Sequence, residues 1–170
     1  ENIDGVRFIT NRSSGKMGGE LAKSAIKRGA EVGLVKGLTQ VEIPSYITRV
    51  ISVESTMQMY DAVMDNYKEC DIIIKSAAPS DYRPVKTISQ KLKGDEITLK
   101  LTKNPDIAKA VGAVKGDRKL VVFCAETQDL IESAKSKLDS KNADMVVAND
   151  VTLEGAGFDV DTNIVTILKK

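Results

Sequence analysis

Hydrophobic and polar positions follow two periods along this chain. Six short stretches are apolar at nearly every position and rich in β-branched residues: 31–36 (EVGLVK), 48–53, 71–75 (DIIIK), 119–125 (KLVVFCA), 144–148 (DMVVA) and 163–168. Such runs predict strands, most of them covered on both faces. A seventh stretch, 97–101, alternates and predicts a hairpin or edge strand. Between the strands the spacing changes to three and four. Met17, Leu21, Ala25 and Arg28 fall near one stripe of 16–28, and Met57, Tyr60, Val63, Met64 and Tyr67 mark a second helix. Ile107, Val111 and Val114 mark a third, and Leu130, Ala134 and Leu138 a fourth. Asn104-Pro105-Asp106 predicts a helix start, with Asn as N-cap, Pro at the first position and an acid facing the positive end. Strand–helix–strand repetition over residues 1–170 predicts one α/β domain around a largely parallel sheet.

In an open sheet of this kind ligands bind beyond the carboxyl ends of the strands. The residues there are Ser76-Ala77-Ala78-Pro79-Ser80-Asp81, Glu126-Thr127 and Asn149-Asp150, small and acidic. A second candidate is the loop of residues 10–19 (TNRSSGKMGG) leading into the first helix. Ser13, Ser14 and Gly15 would let backbone N–H groups and hydroxyls approach an anion at the helix start. An ordinary Ser N-cap with closely packed glycines explains the same residues equally well. Two familiar phosphate motifs fail here: a Walker loop has Gly where this chain has Thr10 and Ser or Thr where it has Met17, and no G-x-G-x-x-G occurs.

Composition narrows the chemistry. Lys plus Arg number 25 and Asp plus Glu 24, a net charge of +1, so no global field favours nucleic acid or an anionic membrane. With no Trp and 4% aromatics, platforms for stacking single-stranded bases are scarce. No apolar run approaches the ~20 residues of a membrane span. Histidine is absent, which excludes Ser-His triads, His-ligated zinc and the commonest general base. Cys70 and Cys124 are too few for a structural zinc site or a disulfide framework and read as reduced thiols of a cytoplasmic protein. No signal peptide is recognisable, and a start at Glu1 suggests a piece of a longer polypeptide.

The run 6–18 (VRFITNRSSGKMG) resembles the V-R-[FY]-I-[ST]-N-x-S-S-G-x-M-G signature of phosphopantothenoylcysteine synthetases, also called phosphopantothenate–cysteine ligases. The likeness continues in order through 77–84 (AAPSDYRP), Lys91-Leu92-Lys93, 103–107 (KNPDI), 123–127 (FCAET) and Ala148-Asn149-Asp150, so it covers nearly the whole chain. Three features depart from the family pattern. The first strand, ending in Gly-Gly-Thr, has no counterpart before Glu1. The K-x-K-K loop is shortened, Lys93 being followed directly by Gly94-Asp95-Glu96. The chain also stops soon after its last strand, where relatives often continue into a helix.

The resemblance implies a Rossmann-like three-layer fold with helices on both faces of the sheet. It implies a bacterial-type ligase of coenzyme A biosynthesis that activates 4'-phosphopantothenate with CTP and joins it to L-cysteine through an acyl-cytidylate. It further implies Mg²⁺, a homodimer, and in many bacteria fusion to a flavin-dependent decarboxylase. Asp81 would belong to the CTP and metal site; the residues alone favour an Asx-turn there. Lys91 would lie on the triphosphate, although a solvated charge is the usual reading of such a loop lysine. Lys137 and Lys141, four apart on one helix face, would line the nucleotide site; without the resemblance they complement a helix C-terminus. Phe123 would touch CTP while also serving as strand core. Ser76, Ala77 and Ala78 on one side, and Thr102, Lys103, Asn104 and Pro105 on the other, would admit the nucleotide. Asn11 would hold the acyl-cytidylate carbonyl or the cysteine amine, or else serve as a turn residue.

Two further classes compete. Tyr82-x-x-x-Lys86 superficially fits the pair of a Rossmann-like NADP-dependent oxidoreductase, but Pro84 argues against the helix that the pair needs. A non-catalytic nucleotide-binding module is the other.

Overall fold

The computed structural model describes residues 1–47, 49–126, 128–150, 152 and 161–170. Within them the chain runs α1 (Lys16–Lys27), β1 (Gly33–Lys36), β2 (Arg49–Ser52), α2 (Thr56–Asn66), a 3-10 turn (Tyr67–Glu69) and β3 (Ile72–Lys75). It continues through β4 (Tyr82–Pro84), β5 (Leu101–Lys103), α3 (Ile107–Val114), β6 (Lys119–Glu126), α4 (Leu130–Ser140), β7 (Met145–Asp150) and β8 (Val165–Lys169). Each of the six apolar runs and four helical stripes becomes the element that its period predicts, with shifted ends. Thr48, the expected first residue of the second strand, and Thr127, expected beyond the end of the fourth, lie outside the described residues.

Strands β3, β6 and β7 pair in parallel, and β8 adds to β7 antiparallel, in the order β3-β6-β7-β8. β1 and β2 form a separate parallel pair, and β4 and β5 an antiparallel ribbon. The single sheet expected from the sequence is thus divided among the described residues, while the fold stays α/β and mostly parallel. The division also explains where double coverage fails. In β7, which lies between two strands, Val146, Val147 and Ala148 are all buried. In β3, at a sheet edge, Ile72 is 59% and Ile74 44% exposed. The alternating stretch 97–101 contributes only its last residue to a strand, as Leu101 enters the ribbon opposite Pro84.

The main core forms on one face of the four-stranded sheet. Leu120, Val122 and Cys124 of β6 and Val146 and Ala148 of β7 meet Ile107, Ala108 and Val111 of α3 and Ala134 and Leu138 of α4. Each full burial of an aliphatic side chain such as Leu120 or Val111 contributes about 1.5–3 kcal/mol. Helix starts are set by local bonds. Ser55 and Gln58 form a reciprocal capping box on α2. α3 starts differently from its sequence expectation. Its N-cap is Asp106, whose carboxylate accepts the Lys109 N–H at 3.0 Å. Asn104 does not cap because its amide is engaged elsewhere, donating to the Ser80 carbonyl oxygen at 2.8 Å.

Candidate active site

Because β3, β6 and β7 are parallel, their carboxyl ends open on one side. The register sets Glu126 opposite Asp150, and β3 ends at Lys75. α4 delivers two cations to this edge. The Lys137 ammonium pairs with Glu126, and the Lys141 ammonium pairs with Asp106, the cap of α3. Burial alone would raise the Asp106 carboxyl, but its bonds from Lys141 and the Lys109 N–H, with the charge of Lys75, hold it below its usual value. Burial pushes Lys75 down, against the attraction of Asp106 and with the repulsion of Lys141. Among the described residues Lys75 makes no hydrogen bond and no ion pair. It is a partly buried cation without a bonded partner, at the end of an apolar strand.

The glycine-serine loop closes onto the same edge. The Asn11 amide donates to the carbonyl oxygens of Ala78, at 3.1 Å, and Pro79, at 3.2 Å. The Ser13 N–H donates to the Asn11 carbonyl at 2.9 Å. Gly15 precedes α1 in the left-handed region, at φ 81°, and no side chain caps the helix from that position. A Cβ on Gly15 would stand 2.6 Å from the Thr39 hydroxyl, which donates to the Ser14 carbonyl. One on Gly18 would lie 3.1 Å from Ser76 Oγ. The glycines therefore let the loop lie against β3 and the chain after β1. Although Gly15 holds the N-cap position, the Ser14 hydroxyl accepts the Lys16 N–H at 3.4 Å, so a serine at the helix start and closely packed glycines are both present.

Asn104 joins the second wall. It is buried, and its backbone N–H donates to the Asp81 carbonyl at 2.7 Å while its side-chain oxygen accepts from Arg83 at 2.8 Å. Thr102 and Lys103 pair with Arg83 and Tyr82 across the β4–β5 ribbon. Since Tyr82 lies in a strand, Tyr82 and Lys86 share no helix face, against the oxidoreductase pattern. The Asp81 carboxylate is exposed and accepts no hydrogen bond from the described residues. No cluster of three metal-ligating side chains occurs among the described residues.

The family model described as the DNA/pantothenate metabolism flavoprotein C-terminal domain matches residues 1–170. The chain belongs to this family. The coenzyme A biosynthesis bifunctional protein CoaBC of Bacillus subtilis (strain 168) is 45% identical over 172 residues, which cover 100% of this chain and 42% of that protein. The protein of the same name from Vibrio vulnificus (strain YJ016) is 46% identical over 172 residues, covering 98% and 43%. The chain thus spans less than half the length of these curated relatives. The crystal structure of the C-terminal domain of a CoaBC protein aligns with a TM-score of 0.84 at 40% identity, covering 100% of this chain and 76% of the other.

In this domain the Asn11 amide reaches Ala78, Gly18 packs near Ser76, and Ser14 and Gly15 lie against Thr39. Asn104 bonds to the Asp81 backbone, Lys137 pairs with Glu126 at a strand end, and Lys141 pairs with Asp106. Phe123 stands apart. It sits opposite Val147, on the face turned away from the α3–α4 core, and is half-buried. Lys91 is exposed and makes no hydrogen bond or ion pair among the described residues. Sequence reasoning missed Lys75, which has no bonded partner among the described residues to mark it, and Arg83 and Thr39, whose partners are remote in the chain. Among the described residues, no helix is long and apolar enough to cross a membrane.

Proposed function

We propose that this domain is a phosphopantothenate–cysteine ligase of coenzyme A biosynthesis, using CTP to form an acyl-cytidylate that L-cysteine then attacks. The observation carrying this reading is a cluster of three lysines set among the carboxylates of the strand edge. Lys75, Lys137 and Lys141 converge there, two of them held by exchangeable carboxylates and one without a partner. A nucleoside triphosphate supplies the missing anion. Nucleotidyl transfer to a carboxylate requires charge neutralisation and in-line positioning rather than a titrating base, which a chain without histidine can provide.

In this reading Ser13, Ser14 and Gly15 offer donors at the start of α1, and Ser76, Ala77 and Ala78 leave room for the nucleotide beside β3. Thr102, Lys103, Asn104 and Pro105 bound it from the other side, with Phe123 as an apolar contact. Lys91 neutralises charge developing on the departing pyrophosphate. Asn11, already placed against Ala78, orients the acyl carbonyl or the cysteine amine. The Asp81 carboxylate fits a hard divalent cation that keeps several of its waters. Mg²⁺ held there with nucleotide oxygens would supply further charge neutralisation.

A homodimer is part of the proposal. The β4–β5 ribbon and the chain beside it expose Tyr82, Val85, Ile97, Leu99 and Leu101, an apolar surface suited to a second copy. The relatives' names describe bifunctional coenzyme A biosynthesis proteins, which supports a second activity elsewhere in a longer polypeptide; a fused flavin-dependent decarboxylase and a cytoplasmic setting complete the proposal. Isothermal titration with CTP, ATP and NADPH tests the nucleotide. CTP is expected to bind most tightly; NADPH binding with no CTP binding would overturn the assignment.

A further inference from the structure

Asp4 is 4% exposed and sits in a hairpin closed by the Asn2–Phe8 bridge. One carboxylate oxygen accepts the N–H groups of Val6 and Arg7, both at 2.8 Å, which is a local turn. The other accepts the Arg7 guanidinium, at 2.7 Å from Nη2, and the N–H of Leu92 at 3.1 Å. Arg7 Nη2 also donates to the Leu92 carbonyl at 2.6 Å. Both backbone polar groups of Leu92 are thus taken by one ion pair from the far end of the chain. Leu92 lies between Lys91 and Lys93, whose side chains are exposed. A second attachment runs parallel, from Ile88 N–H to the Ile3 carbonyl at 3.2 Å and from the Thr87 hydroxyl to the Asn2 carbonyl at 3.3 Å.

A turn alone needs one oxygen of Asp4. The second is spent on a segment that would otherwise be a solvated loop. Burial alone would raise this carboxyl, yet the bonds from Arg7, Val6 and Leu92 hold it far below the usual carboxylate range. It stays ionised throughout the neutral range, so the clamp on Leu92 is a charge-assisted one.

We propose that Asp4 is a positioning residue, which through Arg7 and Leu92 fixes the point from which Lys91 reaches the nucleotide. This rests on the reading of Lys91 given above. It makes the lysine loop a tethered arm rather than a free one. Its length from tether to ammonium is then one residue.

Asp4→Asn and Leu92→Pro break the same hydrogen bond from opposite sides, the first by turning an amide on the Leu92 N–H, the second by deleting that N–H. The readouts are trypsin cleavage after Lys93, thermal midpoint, and kcat and KM for CTP in pyrophosphate release. Cleavage after Lys91 is followed only in Asp4→Asn, since a Lys-Pro bond resists trypsin. Each variant is expected to speed cleavage after Lys93 about tenfold and to lower kcat about tenfold, with a smaller change in KM. The double variant should be no worse than either single one. Unchanged cleavage, faster cleavage at every lysine with a fallen midpoint, or a free loop with unchanged kcat would each overturn the proposal. If Asp4→Asn does not fold, Leu92→Pro decides alone. If the parent releases no pyrophosphate from CTP, the functional reading fails by itself, and the cleavage rates still decide whether Asp4 tethers the loop.

Discussion

The side-chain amide of Asn11 donates to the carbonyl oxygen of Ala78, 67 residues away, at 3.1 Å. The same nitrogen reaches the Pro79 carbonyl, so one amide stitches the glycine-serine loop to the end of β3. Only a donor suits that place. Asn11→Asp keeps the size but sets a carboxylate against two carbonyl oxygens. The lost bonds at this exposed position are expected to cost about 1 kcal/mol, a fall of about 2–4 °C in the thermal midpoint. CTP should still be consumed, while the acyl-cytidylate accumulates and appears by mass spectrometry after quenching. Failure to consume CTP would move Asn11 into nucleotide binding; normal product formation would leave it a loop stitch only.

Lys91→Gln is expected to abolish pyrophosphate release, because it removes the cation proposed to neutralise charge developing on the leaving group. Lys86, exposed and outside the lysine motif, serves as control. Lys86→Gln should retain nearly the parent rate. Release by Lys91→Gln at a rate near the parent's would remove Lys91 from the first half-reaction.

Gly112 of α3 is required by a close approach to the end of α4. A Cβ there would stand 1.8 Å from the Lys141 carbonyl oxygen, and the Asn142 amide donates to the Gly112 carbonyl at 2.9 Å. Gly112→Ala forces the two helices apart and should destabilise the fold by about 1–3 kcal/mol. It should also weaken CTP binding, since Lys141 rides on the displaced backbone. Calorimetric melting and titration of the same sample check both effects. An unchanged midpoint would mean that the helices separate freely.

Lys75 predicts a pH dependence. Its burial lowers its pKa below the ordinary lysine value of about 10.4, and a bound anion favours the ammonium form. Binding is therefore strongest where Lys75 is fully protonated and weakens as pH rises through its depressed pKa, before ordinary lysines titrate. Lys75→Met should weaken CTP binding about tenfold at pH 7, a loss of about 1.4 kcal/mol. It should also flatten the decline above neutrality. A decline of unchanged slope in Lys75→Met would assign the titration to other groups.

Much of this architecture was legible because it is periodic. Leu120, Val122 and Cys124 alternate along β6 and are buried together, and Leu130, Ala134 and Leu138 recur at helical spacing and become α4. What local pattern cannot contain is neighbourhood. Ile72 and Ile74 belong to a run that reads as buried, but an edge position leaves them exposed. Asn104 reads as a cap until the Ser80 carbonyl claims its amide. The site was legible as a string of motifs at the strand ends, with roles carried by family resemblance. Lys75 gave no signal of its own, because a lysine ending an apolar strand is ordinary until α3 and α4 set charges around it. Asp4 was silent for the same reason, its decisive partner being 88 residues downstream.

The most direct test of the whole account is pyrophosphate release by this domain with CTP, 4'-phosphopantothenate, L-cysteine and Mg²⁺ together. Release is expected to require CTP and phosphopantothenate, with phosphopantothenoylcysteine and CMP formed in equal amounts once cysteine is added. Tight CTP binding without any pyrophosphate release or product would contradict it and leave a nucleotide-binding module in its place.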